Sequence, residues 1–70
     1  MPLLMAEVGS THVIQRINAR NNEIHRHLEA MGLVPGCVVQ VVSKSASGFI
    51  LNVKESRVAL SRELAAKVLV

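Results

Sequence analysis

The stretch Leu28-Glu-Ala-Met-Gly-Leu-Val-Pro-Gly36 decides the fold, because it ends a helix and reverses the chain. The apolar positions around its start follow the spacing of one helix face: Ile24, Leu28 and Met31. Either Asn21 or Asn22 can cap the first backbone N–H groups of this helix. Gly32 then provides the left-handed residue on which helices commonly end. We therefore predict a single short helix that ends in a tight turn.

A rigid turn and a strand follow the helix. Pro35 fixes one backbone angle and Gly36 accepts a positive φ, as the two central positions of a type II turn require. The segment Cys37 to Val42 is the strongest strand signal in the sequence. Its odd-numbered residues share a face on which Cys37 is expected to pack inward as a small apolar residue. Valines also occupy the opposite face, so the pattern predicts that both faces are covered.

Four further segments predict short strands: Thr11 to Ile17, Phe49 to Val53, Val58 to Leu60 and Lys67 to Val70. The first alternates imperfectly, which predicts a bulge or a twist. Ser61 can cap a brief helical turn before the last strand, and that strand can pair with the apolar lead-in to remove an exposed edge. We therefore predict a mainly β fold in one domain, residues 1–70. It is a small, partly open β-barrel of about five strands with one α-helix and a short C-terminal helical turn.

Composition limits how so small a domain is stabilised. A chain of 70 residues buries only about 60% of the surface that it exposes when unfolded. Cys37 is the only cysteine, so neither an internal disulfide nor a closed zinc site of the ribbon or finger type can form. Half of the residues are hydrophobic and Phe49 is the only aromatic one. The core is therefore expected to be aliphatic.

The sequence also bears on location. No apolar run approaches the roughly 18 residues that a transmembrane helix needs, so no membrane insertion is expected. The start lacks a basic segment, and Glu7 interrupts its apolar residues, which argues against a secretory signal. A reducing cytoplasm is the location that these features favour.

The charge is mildly basic. Eight Lys and Arg residues against five acidic ones give a formal net charge of +3, spread along the chain without a basic run. Proteins that bind single strands stack bases on aromatic side chains, whereas Phe49 is expected in the core. Weak nucleic-acid binding is therefore the third hypothesis, and no nucleic-acid partner is expected.

Candidates for catalysis and metal binding are few. The chain has no Asp, Glu23 and Glu29 fall on a solvated helix face, and no Gly-x-x-x-x-Gly-Lys phosphate loop is present. His25 and His27 are two residues apart on a helix, so their side chains diverge by about 200° and cannot share one ion. The three histidines and Cys37 could still hold a stray transition ion between molecules. We predict no enzyme, no catalytic residue, no cofactor and no metal site.

Two motifs resemble the ferrous iron transport protein A (FeoA) family. The stretch Leu28 to Gly36 is similar to the family's helix end, Leu-x-x-(Met or Leu)-Gly-Leu-x-Pro-Gly. The stretch Arg57-Val-Ala-Leu-Ser-Arg-Glu-Leu-Ala65, followed by Val68-Leu-Val70, is similar to its closing segment. Together they cover nearly the whole chain. One departure is Glu55, which stands where the family usually has a glycine in the last hairpin.

The resemblance implies an SH3-like β-barrel in the cytoplasm. It also implies a small accessory protein that binds and modulates the ferrous iron permease, a membrane protein whose cytoplasmic portion includes a GTP-binding domain. The same fold occurs as the C-terminal domain of diphtheria-toxin-repressor-type metal regulators. A free-standing regulatory or adaptor barrel that binds another protein is therefore the alternative.

An apolar excess supports a role in protein recognition. Mean hydropathy is positive, at +0.37, and apolar residues that a small core cannot hold form surface patches for partners or for copies of the same chain. We expect the partner contact at Leu33, Val34 and Pro35, with basic support from Arg26 or Arg57. Self-association is a second possibility, and Leu33 could instead plug the barrel.

Overall fold

The computed structural model describes residues 1–70 and contains six strands and two α-helices. A 3₁₀ turn at Leu3–Met5 precedes them. The elements then follow in this order: β1 (Thr11–Val13), β2 (Arg16–Ile17), α1 (Asn22–Ala30), β3 (Val38–Lys44), β4 (Gly48–Val53), β5 (Ser56–Ser61), α2 (Arg62–Ala65) and β6 (Val68–Leu69). The predicted fold class, mainly β with one longer helix and a short C-terminal helical turn, is confirmed.

The strands form two antiparallel sheets. One sheet has four strands in the order β1-β3-β4-β5, and the other pairs β2 with β6. The β4–β5 hairpin is tight, since Val53 lies opposite Ser56 with only two residues between them. The pairing of β3 with β4 shifts register between Val41 and Ser43, which marks a bulge. The two sheets do not join into one closed barrel, in agreement with the prediction of a partly open one.

The predicted first strand, Thr11 to Ile17, is two strands. β1 pairs with β3, whereas β2 pairs with β6 in the other sheet. Ile14 lies between them and is buried. Prediction of one continuous strand was therefore wrong, because the chain passes from one sheet to the other where the alternation fails.

Helix α1 is capped at both ends as its sequence predicts. The Asn21 side chain accepts a hydrogen bond of 2.7 Å from the backbone N–H of Glu23. At the other end, the Leu33 N–H donates to the Leu28 carbonyl at 2.9 Å, and Gly32 has a φ of +83°. This pattern is the Schellman arrangement, which satisfies carbonyls that the helix leaves free.

The turn after α1 is fastened to the sheet. The Cys37 N–H donates to the Val34 carbonyl at 3.0 Å, and Gly36 has a φ of +89°, as expected for a type II turn. The Gly36 N–H also donates to the carbonyl of Ile14 at 2.8 Å, and the Ile14 N–H donates to the Cys37 carbonyl at 2.9 Å. These bonds fix the turn against the end of β1.

The core is entirely hydrophobic. Its buried residues are Leu3, Ala6, Ile14, Leu28, Leu33, Val39, Val41, Phe49, Leu51, Val53, Leu60, Ala65 and Val68. The expectation of an aliphatic core around a buried Phe49 is confirmed. Burying a side chain of the Leu or Val class contributes roughly 1.5–3 kcal/mol, so this cluster is the main source of stability.

The outer face of the four-stranded sheet is open to solvent. Val39 and Val41 are fully buried on the inner face of β3, but Val38 is 53% exposed and Gln40 is also exposed. Arg57 on β5 is exposed on this outer face. The prediction that both faces of β3 are covered was wrong, because the core and the elements packed on it lie on one side only.

The last strand pairs with the lead-in. In addition to its pairing with β2, Leu69 forms an isolated bridge with Pro2. The Val70 N–H donates to the Met1 carbonyl, and the Met1 ammonium donates to the Val70 carbonyl, both at 2.8 Å. The predicted contact between the two ends is confirmed, and it protects backbone groups at this edge.

Candidate protein-binding surface

A surface depression lies where the turn Val34–Cys37 meets the outer face of β1, β3 and β4, and Lys54 also lines it. We call it the turn groove. Its volume is about 800 Å³ and it opens to solvent. The hydrogen bonds that fasten the turn to β1 also hold this groove in shape, because its lining comes from both the turn and the sheet.

One side of the groove is apolar. Val34 is 37% exposed, Val38 is 53% exposed, and Pro35 is also exposed. Val13 on β1 lies directly opposite Val38 in the register and is 45% exposed. Side chains at paired positions of neighbouring strands lie about 4.5–5.5 Å apart at Cβ, so the two valines form one continuous apolar area.

The other side is polar, and its polar side chains continue as a row across the whole sheet. The register places Thr11, Gln40, Asn52 and Arg57 in one row on the outer faces of β1, β3, β4 and β5. The Asn52 side-chain amide donates to the Gln40 side-chain carbonyl at 3.3 Å. Strands are about 4.8 Å apart, so the row is roughly 14 Å long. The first three members line the groove.

The charges at this surface are basic. Lys54 lines the groove from the β4–β5 hairpin, and Arg57 follows Asn52 in the polar row. No carboxylate lines the groove, although Glu55 follows Lys54 in the hairpin. Lys54 is the only residue other than glycine with a positive φ, at +58°.

The structure separates the residues that the sequence predicted as contacts. Val34 and Pro35 lie in the turn groove, and Arg57 lies beside it. Leu33 has no exposed surface, so its side chain cannot contact a partner in this fold and its assignment is corrected: Leu33 plugs the core. Arg26 is exposed but lines a separate depression between α1 and α2.

Sequence reasoning missed three residues of this surface: Val13, Val38 and Lys54. The sequence predicts that both valines lie in strands, but it does not show which face of each strand is covered by the core. Lys54 gave a usable signal, since a two-residue hairpin loop requires an unusual backbone conformation and neither of its residues is a glycine.

The side chains that could bind a metal ion are scattered over the fold. No three His, Cys, Asp or Glu side chains lie close enough to hold one ion. A ring nitrogen of His25 lies 2.7 Å from the Ala19 carbonyl, and one of His12 lies 3.0 Å from the Ser10 hydroxyl. Cys37 packs against the core but is only partly buried and lines the groove, so its predicted inward packing is confirmed only in part.

None of the helices has the length and apolar character needed to cross a bilayer.

Comparisons with a family model and with solved structures agree with the fold described above. The family model for the FeoA domain matches residues 1–70. A crystal structure of the iron uptake regulatory protein FeoA has a TM-score of 0.89 and 29% identity, covering 97% of this chain and 91% of that chain. FeoA of Stenotrophomonas maltophilia, solved with zinc and described as an SH3 domain protein, has a TM-score of 0.84 and 26% identity, covering 99% and 87%.

A manganese-dependent transcriptional repressor has a TM-score of 0.90 at 17% identity. The match covers 97% of this chain but 39% of the repressor, and at this identity it shows the fold alone. No curated protein sequence matches the chain.

These comparisons confirm the resemblance that the two sequence motifs indicate, and with it the SH3-like fold. FeoA proteins are small accessory proteins of ferrous iron transport. Since the FeoA model matches from residue 1 to residue 70 and FeoA structures share the fold over almost all of that length, the chain belongs to the FeoA family.

Proposed function

We propose that this protein acts in the cytoplasm, where it binds the cytoplasmic region of the ferrous iron permease through the turn groove and modulates transport without catalysing a reaction. The observation that carries this proposal is the exposed apolar area of Val13, Val34 and Val38 beside a groove of about 800 Å³. Exposed apolar area that borders a concave surface with a polar rim is typical of contacts between proteins.

The position of this area supports binding more than packing. Val38 faces the opposite side of β3 from Val39 and Val41, which are fully buried. The strand therefore contributes two residues to the core without Val38. A valine on the outer face adds nothing to that core and keeps apolar surface in water, where its burial by a partner would be favourable. The fixed turn beside it presents Val34 and Pro35 with little ordering cost on binding.

Family membership supports the transport context. FeoA of Stenotrophomonas maltophilia is described as a candidate activating factor of bacterial ferrous iron transport. We extend such a role to this chain. A transport assay would measure whether the protein activates or inhibits transport.

The test is isothermal titration of the purified protein against the permease's isolated cytoplasmic domain, with GTP, with GDP and without nucleotide, in metal-free buffer. We expect saturable heat at a 1:1 ratio. Val38→Ser removes apolar contact area from the groove side. Truncating one of the few residues that carry most of the binding energy costs more than about 1 kcal/mol, so affinity should fall about fivefold or more.

Val8→Ser is the matched control. Val8 is also an exposed valine but lies outside the groove, so its replacement should leave affinity unchanged. Absence of heat in every nucleotide state contradicts binding to this domain. Equal losses for Val8→Ser and Val38→Ser contradict the assignment of the surface.

A regulatory adaptor that binds a different protein is the second candidate, and the shared fold with a manganese-dependent repressor favours it. It predicts that the permease domain gives no heat while the same valine substitution disrupts another complex. Affinity purification from cells with the wild type and with Val38→Ser, followed by identification of the partners lost, separates the two candidates.

A further inference from the structure

We infer that the turn groove binds an extended segment of the permease's cytoplasmic region in which an acidic side chain neighbours an apolar one, and that Lys54 binds the carboxylate. This inference rests on the proposed function and adds the chemistry of the segment that is recognised.

Charge is the first argument. The lining of the groove includes one charged side chain, Lys54, and the polar row that crosses it ends in a second cation, Arg57. No carboxylate lines the groove to neutralise them. A partner segment with a carboxylate therefore matches the groove in charge, and such complementarity contributes specificity and association rate.

Backbone strain at Lys54 is the second argument. A φ of +58° is comfortable for glycine but unfavourable for a residue with a side chain. Such strain tends to occur where it serves function. The two-residue hairpin loop itself requires the positive φ, so what a ligand for the ammonium group explains is the presence of lysine there in place of glycine.

The shape of the groove is the third argument. Together with Arg57 beside it, the polar row of the groove is roughly 14 Å long, and an extended chain of four to five residues would fit along it, because each residue of a strand spans about 3.3 Å. Thr11, Gln40 and Asn52 offer side-chain hydrogen bonds along this length, while Val34 and Val38 offer an apolar contact beside it.

Other ligand classes fit this surface less well. Proline-rich segments and unpaired bases are bound on exposed aromatic side chains. The only aromatic residue, Phe49, is buried in the core and absent from the groove. The groove therefore favours an acidic, partly apolar peptide over a proline-rich peptide or a nucleic acid.

The test uses the intact protein and overlapping synthetic peptides that tile the permease's cytoplasmic region, with single-stranded oligothymidylate as the nucleic-acid probe. The variants are Lys54→Gly, Lys54→Arg and the charge control Arg20→Ala, since Arg20 is exposed outside the groove. Binding is measured by fluorescence anisotropy at low and at high salt, and stability by thermal unfolding.

We expect the bound peptides to share an acidic residue next to an apolar one. Lys54→Gly should weaken their binding about two- to fivefold, the range expected for one exposed ion pair. It should also raise the melting temperature, so the loss cannot come from unfolding. Lys54→Arg should retain binding, and Arg20→Ala should change neither quantity.

The decisive comparison is a double-mutant cycle. Changing the peptide's acidic residue to its amide should weaken binding to the wild type but not to Lys54→Gly. Equal effects on both proteins overturn the inference. If Lys54→Gly binds normally while Val38→Ser does not, the proposed function stands and the inference fails.

The remaining outcomes are also decisive. If the intact permease domain binds through Val38 but no peptide does, the extended segment is refuted. Oligothymidylate binding that Lys54→Gly abolishes would assign the groove to nucleic acid and overturn the inference. Absence of binding to both peptides and domain overturns the proposed function together with the inference.

Discussion

Replacing Gly48 by alanine tests a close approach between the backbones of two neighbouring strands in the four-stranded sheet. Gly48 begins β4 opposite Ser61 and has a φ of +155°, a conformation that side chains rarely allow. A Cβ atom added to it would lie 2.5 Å from the carbonyl oxygen of Leu60, whereas carbon and oxygen atoms ordinarily stay roughly 3.3 Å apart. The oxygen belongs to the neighbouring backbone and cannot turn aside.

Three terms set the size of the effect. Overpacking costs about 1–3 kcal/mol, and the unfavourable φ costs about 1–2 kcal/mol. Alanine recovers about 0.4–1 kcal/mol because it restricts the unfolded chain. These ranges sum to an expected net loss of about 1–5 kcal/mol. A domain of this size has a total stability of roughly 4–10 kcal/mol, so Gly48→Ala should be severely destabilised.

Gly36→Ala is the matched control. Gly36 also has a positive φ, but nothing lies within 4 Å of an added Cβ, so only the conformational cost of about 1 kcal/mol applies. Urea and thermal unfolding should be followed by far-UV circular dichroism, because the chain has no Trp or Tyr. If Gly48→Ala and Gly36→Ala lose the same free energy within about 0.5 kcal/mol, the steric argument is refuted.

Three other substitutions test the assignments by urea unfolding. Leu33→Ala should cost about 2–5 kcal/mol because its side chain is fully buried, and Val34→Ala should cost much less; equal losses would contradict the correction made for Leu33. Asn21→Ala should cost about 1 kcal/mol by removing the helix cap, and a larger loss in Asn22→Ala would show that the cap is misassigned. Lys54→Gly should gain roughly 0.5–1 kcal/mol by relieving the positive φ, and a loss of stability would contradict the strain.

Local elements could be predicted from the sequence because their signals are local. The Asn21 cap, the Gly32 stop and the turn at Gly36 each act within a few residues, so their chemistry is visible in the sequence. The break near Ile14 was visible only as an irregular alternation. Its cause, a partner strand at the far end of the chain, could not be predicted because no local pattern encodes pairing over that distance.

The candidate binding surface could be predicted only in part. Alternation along β3 shows that Val38 and Val39 face opposite ways, but the packing of other elements decides which face is covered. Leu33 illustrates the same limit, since an apolar residue beside an exposed turn can point either way. The exposure of Val34 and Pro35 could be predicted because a fastened proline turn has little room to bury its tip.

The division of the first strand region between two sheets bears on how the chain folds. The β3, β4 and β5 strands join through short hairpins, whereas β2 must find β6 more than fifty residues along the chain. Closing a loop of that length lowers the entropy of the chain before the β2–β6 contacts can stabilise it. The β2–β6 pair is therefore expected to form after the rate-limiting step. Val68→Ala should then speed unfolding and leave the folding rate nearly unchanged, whereas Leu51→Ala should slow folding. Chevron measurements in which Val68→Ala slows folding as much as Leu51→Ala would place closure of the barrel in the folding nucleus instead.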